Sequence, residues 1–177
     1  AGLSTALNLA RQGVNVVVLE AHEPGWGGSG RNGGQVIAGL KYEPDELETK
    51  FGGDAGRACA AFAGSTPAHV FNLIARENLA VPHVRHGWVQ GAHNDEALKA
   101  VEARVSQWTR RGLQGARLLD STETARLLGT HVYKGGWFDP RGGGVQPLSY
   151  AREMARIAIA SGASVHGETP VTGWARE

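Results

Sequence analysis

The sequence holds one cysteine, Cys59, so no disulfide can form within it, and the small residues from Ala58 to Ala63 around it suit packing rather than thiol chemistry. Cysteine this scarce fits a reducing compartment, and a cytoplasmic location is expected. Excess charge is equally missing, since 18 basic and 17 acidic residues leave a net +1. There is no basic field to hold nucleic acid and no polybasic cluster to hold a membrane surface. No apolar run approaches the ~20 residues that a bilayer-spanning helix needs. Repeats and low-complexity tracts are absent too, and 41% hydrophobic with 20% charged residues is the composition of a folded globular chain. These features leave a small-molecule-directed protein of one core or two interleaved ones. An initiator methionine is also lacking.

Most informative is the stretch from Asn15 to Val36, NVVVLEAHEPGWGGSGRNGGQV. Val16 to Leu19 has no polar alternation, which predicts a strand buried on both faces, as in a parallel sheet between helix layers. Glu20 stands at the carboxyl end of that strand, where open α/β sheets bind ligands and where an acid can accept hydrogen bonds from the two hydroxyls of an adenosine ribose. Before it, Leu3, Leu7 and Ala10 form a helical stripe that stops at Gly13, a residue suited to the left-handed conformation that closes helices. Helix, turn, strand and acid are the later parts of the dinucleotide-binding fingerprint, in which the acid follows the glycines by about 20 residues. Gly2, at the start of the helix, fits the third glycine of that fingerprint, the one that permits close helix–strand packing. The first strand and the first two glycines are not in the sequence, so the chain reads as a fragment cut inside the fingerprint.

The loop after Glu20 crowds Gly25, Gly27, Gly28, Gly30, Gly33 and Gly34 among the donors Ser29, Arg31, Asn32 and Gln35. Such a backbone can take positive φ and approach a ligand closely. Together GLSTALNLA, VVVLEA and GWGGSGRNGGQV resemble the D-amino-acid-oxidase-like family of FAD-dependent oxidoreductases, of the glycine oxidase and sarcosine oxidase type. The glycine loop is most similar to the gamma-glutamylputrescine branch, which usually carries alanine where this sequence has Gly28. The resemblance covers most of the chain.

Downstream, Pro44 and Asp45 start a short helix, and a longer one is predicted from about Ala55 to Asn78, with a break near Gly64, Ser65 and Pro67 and with Phe62, Val70, Phe71 and Ile74 on its buried side. Val81 to Gly91 alternates as a strand. His83 and His86 are not read as metal ligands, because a strand puts residues three apart on opposite faces and no carboxylate or cysteine follows at ligand spacing. Asn94 caps a helix carrying Leu98, Val101 and Val105 up to Gly112. A short strand runs from Ala116 to Leu119, Asp120 or Ser121 starts the next helix, and His131 to Asp139 is strand-like and aromatic. Arg141 to Pro147 reads as a loop, Leu148 to Ser161 as a helix closed by Gly162, and Ala163 to His166 as a strand.

The resemblance implies an α/β fold, a Rossmann-like FAD-binding domain without its first strand, interleaved with an α+β substrate domain. Residues 1–42 would open the FAD-binding domain, 43–146 would form a helical segment and the substrate (cap) domain, and 147–177 would return to the first. It also implies site residues. Glu20 would hold the adenosine ribose, Ser29 with neighbouring amides the pyrophosphate, and Arg31, Asn32, Gly33, Gly34 and Gln35 the region near the isoalloxazine, with Gly2, Ala21 and Gly28 also among the cofactor-binding residues. Val171 matches a position whose backbone meets the adenine. Trp137 and Phe138 are candidates for a substrate pocket or for core packing. The reaction implied is hydride transfer from a small amine or amino acid to flavin, for which no Ser/His/Asp or paired-carboxylate constellation is required. A NAD-dependent Rossmann enzyme shares the acid but has no use for SGRNGGQ, and a nucleotide-binding module without chemistry is the remaining alternative.

Overall fold

In the computed structural model, which describes residues 1–175, the elements follow in the order α1 (Gly2–Ala10), β1 (Val17–Leu19), β2 (Gln35–Val36), α2 (Pro44–Phe51), α3 (Gly53–Arg76), β3 (His83–Val84), β4 (Trp88–Ala92), α4 (Asp95–Arg110), β5 (Arg117–Asp120), α5 (Ser121–Leu128), β6 (Gly135–Asp139), β7 (Gly143–Val145), α6 (Pro147–Ala160) and β8 (Ser164–His166). The last two residues of the expected return segment 147–177 lie outside the described residues. The chain divides into two compact units. Unit 1 comprises Ala1–Gln35, Asn72–His83 and the chain from Gly144 onward, and unit 2 comprises Val36–Phe71 and Val84–Gly143. Thus 72–83, which the sequence suggested as part of the middle region, groups with unit 1. No described helix is long and apolar enough to cross a membrane.

Unit 1 is built on the pairing of two small-residue helix faces. Ala6, Leu7 and Ala10 of α1 and Ala151, Met154, Ala155 and Ala158 of α6 are buried, and the alanines let the two helices pack directly on each other. Beside them β1 and β8 run parallel, with Val17 opposite Ser164, Val18 opposite Val165 and Leu19 opposite His166. The expectation of a strand buried on both faces is corrected here: Val17 is 56% and Leu19 49% exposed. A strand reaches full burial between two neighbours under helices on each face, and β1 has β8 as its one strand partner among the described residues.

Unit 2 centres on an antiparallel sheet in the order β4-β6-β5, where Gln90 and Leu118 flank Trp137 in register. Val101 and Trp108 of α4 bury against Ala92 and Trp137, and Trp88 meets Trp137 edge-on at 6.2 Å. Trp137 is therefore core. Its indole Nε1 donates to Gln90 Oε1 at 3.2 Å, and Arg104 donates to both Gln90 and Glu43, so the indole N–H and the Gln90 oxygen beside that core are satisfied. The capping signals act as the sequence suggests: Asn94 accepts from the Ala97 amide at 2.7 Å and Asp120 from the Glu123 amide at 2.8 Å.

Three local expectations fail for identifiable reasons. Helix α3 runs through Pro67 without a break, because the Thr66 hydroxyl donates at 2.9 Å to the Ala63 carbonyl, the acceptor that the missing Pro67 amide would have served. Phe62 is 66% exposed; the buried side of this part of α3 is carried by Ala60, Ala63, Pro67 and Phe71. The strand predicted from Val81 to Gly91 is two strands, split at Gly87, which takes φ +88° and donates to the Gly142 carbonyl at 3.0 Å.

Helix α2 is tied to α4 through Asp45, whose carboxylate accepts from Arg110 at 2.8 Å and from Arg111 at 2.6 Å. Burial pushes this carboxyl up, but hydrogen bonds from Arg111 and Arg110 outweigh it, so it titrates below its ordinary 3.8. A depressed folded value means that the contribution is complete above the unfolded value and disappears as pH falls through the folded one. Asp45→Asn should therefore lower the urea midpoint by a constant amount near neutrality, and the gap between variant and parent should close only below the ordinary carboxylate range. A gap that stays open down to the most acid pH at which the protein still folds would remove this assignment.

Candidate cofactor-binding site

The end of β1 is locked by backbone bonds on both sides of Glu20. Its amide donates to the His166 carbonyl at 2.9 Å, and its carbonyl accepts from the Thr169 amide at 2.8 Å. With the main chain held, the side chain turns back so that Oε1 accepts from the His22 amide at 3.1 Å, while Oε2 has no partner among the described residues. One fixed oxygen and one free one make an oriented acceptor at a strand end.

That acceptor borders a cavity of about 220 Å³ within unit 1, walled by Gly2, Val18, Glu20, Gly25, Ser29 and Ala151 among others. The structure thus brings Gly2, Glu20 and Ser29 together from well-separated stretches of sequence. A Cβ placed on Gly2 meets no atom of the described residues within 4 Å, so no strand of this chain packs closely against it. Its lack of a side chain instead keeps this wall of the cavity open.

The glycine loop divides into two classes. Gly25 takes φ +90°, and a Cβ there would stand 2.9 Å from both Leu148 Cδ1 and Ala151 Cβ; a Cβ on Gly30 would stand 2.0 Å from the Gly25 carbonyl oxygen. Gly34 takes φ +67°, and its Cβ would lie 2.1 Å from the Val145 carbonyl oxygen. The polypeptide itself demands these three. Around Gly27, Gly28 and Gly33 a Cβ meets nothing within 4 Å and φ is not positive, so nothing in the described fold requires glycine there.

Asn32 staples the loop. Its Nδ2 donates to the Gly28 and Ser29 carbonyls at 3.0 Å each, and its Oδ1 accepts from the Gly34 amide at 2.7 Å. The side chain read from sequence as a ligand donor is engaged within the loop. Arg31 lies 4.4 Å above the Trp26 ring, and Trp26 stacks on His22 at 3.9 Å. This stack faces a second unit 1 cavity of about 200 Å³, whose walls include Glu23, Arg31 and Arg152 and which shares Pro24 and Gly25 with the first. Ala21 is exposed beside Glu20, Gln35 is exposed in β2, and Val171 is 63% exposed outside regular structure; none of the three lines either cavity. The sequence reading missed the roles of the His22 amide and Trp26, because an amide two residues from an acid and a ring stacked through a turn leave no periodic signal. No group of three His, Cys, Asp or Glu suited to a metal occurs among the described residues.

The family model described as "FAD dependent oxidoreductase", abbreviated DAO, matches residues 1–177. The chain belongs to this family. Among curated relatives, gamma-glutamylputrescine oxidoreductase of Escherichia coli (strain K12) is 33% identical over 171 residues, which cover 97% of this chain and 40% of that protein. A probable oxidoreductase OrdL of Haemophilus influenzae is 30% identical over 171 residues, covering 96% of this chain and 39% of the relative. The chain thus spans about 40% of the length of these two curated relatives. Among solved structures, glycine oxidase from Geobacillus kaustophilus aligns with a TM-score of 0.70 at 20% identity over 94% of this chain and 44% of its own, and L-proline dehydrogenase from P.horikoshii with 0.73 at 17% over 99% and 43%. At those identities the likeness is one of fold, and it is the α/β fold of DAO-family enzymes.

Proposed function

We propose that this chain supplies the adenosine and pyrophosphate side of a FAD site in an oxidoreductase that oxidises the C–N bond of a small amine or amino acid of the gamma-glutamylputrescine type. The observation that carries the reading is the convergence of Gly2, Glu20 and Ser29 on one cavity at a strand end, with a carboxylate oxygen free to accept. The residues present fit the group. Glu20 would accept from ribose hydroxyls, oriented by the His22 amide. Ser29 would donate its hydroxyl to the pyrophosphate, with Gly2 and Gly28 leaving room for it. Gly33, without steric demand from the chain, would let the backbone come close to the ring system, with Arg31, Gly34 and Gln35 in the same stretch; Ala21 and the Val171 backbone would border the ribose and adenine. Bound flavin would supply the hydride acceptor. Unit 2, with its antiparallel sheet, would carry the substrate side. The E. coli relative at 33% identity supports the choice of amine.

The test is a visible spectrum of the full-length protein, before and after anaerobic addition of gamma-glutamylputrescine. A flavin absorption band that bleaches on mixing is the expected result. A colourless protein that binds NAD would overturn the cofactor assignment. A yellow protein bleached by glycine or proline but not by the polyamine conjugate would keep the cofactor and overturn the substrate.

A further inference from the structure

A cavity of about 550 Å³ in unit 2 lies away from the glycine loop in sequence and has a distinctive wall. Four arginines, Arg57, Arg110, Arg111 and Arg141, are among the residues that line it, and no acidic residue is; with them are Ala60, Ala61, Leu113 and Trp108. Each arginine has a carboxylate partner that is not part of that wall. Arg141 donates from Nε and Nη2 to Asp139 at 3.0 and 2.7 Å, Arg111 reaches Glu48 and Asp45, Arg110 reaches Asp45, and Arg57 reaches Asp54. The cations are thus fixed by their partners while their remaining donors stay free. Nη1 of Arg141 and both Nε and Nη1 of Arg110 have no partner among the described residues.

Local geometry keeps this arrangement in place. The Arg141 guanidinium lies 4.1 Å above the Trp108 ring, and Gly64 of α3 allows both to come close, since a Cβ there would stand 3.1 Å from Arg141 Nη1 and 3.1 Å from Trp108. A pre-set guanidinium with unused N–H groups in an otherwise apolar hollow is an anion receptor that needs little reorganisation on binding. Because each arginine is already paired with a carboxylate, an anion would be held by the free N–H donors rather than by surplus charge, which disfavours a doubly charged phosphate. The apolar walls suit a ligand with a hydrocarbon body.

We infer that this pocket is a binding site for a small organic monocarboxylate with an apolar body, its carboxylate on the free guanidinium donors and its body against Ala60, Ala61 and Leu113. The site rests on unit 2 alone and is independent of the flavin reading. The test is calorimetric titration of the full-length protein with 3-phenylpropionate, alongside 3-phenylpropanol and inorganic phosphate. Ala61→Phe fills the hollow from an exposed position of α3, and Arg110→Ala removes free donors from an exposed side chain. The carboxylate should bind about tenfold or more tightly than the alcohol, and Arg110→Ala should lose about the same factor, the size of one charge-assisted hydrogen bond. Ala61→Phe should abolish binding with an unchanged melting temperature. Binding that survives Ala61→Phe, binding of phosphate or the alcohol as tight as that of the carboxylate, or no binding of the carboxylate at all overturns the assignment.

Discussion

Gly34→Val should unfold or nearly unfold unit 1, with a loss of about 4 kcal/mol or more, whereas Gly33→Val, one residue away, should leave the free energy of unfolding within ~0.5 kcal/mol of the parent. The two adjacent glycines differ in what surrounds them. At Gly34 a β-branched residue would have to hold φ +67° and place its Cβ 2.1 Å from the Val145 carbonyl oxygen, in a turn fixed by the Asn32 side chain and by the Val145 amide bonding the Gly34 carbonyl at 2.8 Å. Relief at one of these points strains another. At Gly33 φ is unexceptional and the added carbons enter open space. If that space is where the backbone meets flavin, Gly33→Val should keep the fold and lower flavin retention by about tenfold or more, a steric exclusion of ~1.4 kcal/mol. The pair is read by denaturation and by flavin content after dialysis. Equal flavin retention in parent and Gly33→Val would make the loop a connector at that position, and an unchanged midpoint in Gly34→Val would show that the close approach to Val145 is not part of the folded state.

What the sequence revealed and what it hid divide along the range of the interactions. Caps were legible because their chemistry is local: Asn94 and Asp120 bond amides three residues on, and Gly162 takes φ +100° just after α6 ends. The α3 helix was misjudged twice because its compensations are of another kind. Thr66 repairs the acceptor that Pro67 leaves, one residue out of the usual pairing, and before Pro67 the buried stripe is carried by Ala60 and Ala63, which apolar periodicity read from large side chains does not mark. The unit boundaries escaped because 72–83 joins unit 1 through contacts remote in sequence, such as Arg11 with Glu77 at 2.6 Å and the Ala80 amide with Glu153 at 3.0 Å. Gly2 and Glu20, singled out as parts of a spaced motif, line one cavity in the structure. Which glycines serve the fold and which leave open space was not legible, since composition is the same for both and only the neighbouring Val145, Leu148 and Ala151 separate them.

Glu20→Ala should weaken flavin retention by 10- to 100-fold, about 1.5 to 3 kcal/mol for hydrogen bonds to a charged acceptor, with little change in stability. Stability is spared because the backbone of Glu20, not its carboxylate, carries the bonds to His166 and Thr169, and those persist in alanine. The side chain makes one internal bond, to the His22 amide at 3.1 Å, and that part-buried amide is left to water in the variant. Glu20→Gln separates charge from shape: it keeps an acceptor for the His22 amide but turns the other end into a donor, so a ribose hydroxyl that donates to Oε2 would meet an N–H. If the carboxylate accepts from ribose, Gln should be nearly as damaging as Ala. If Glu20 only shapes the turn at the end of β1, Gln should behave like the parent. Flavin affinity of all three forms, measured by fluorescence on refilling the flavin-free protein, decides between the roles, and equal affinity in parent and Glu20→Ala would remove the ribose assignment altogether.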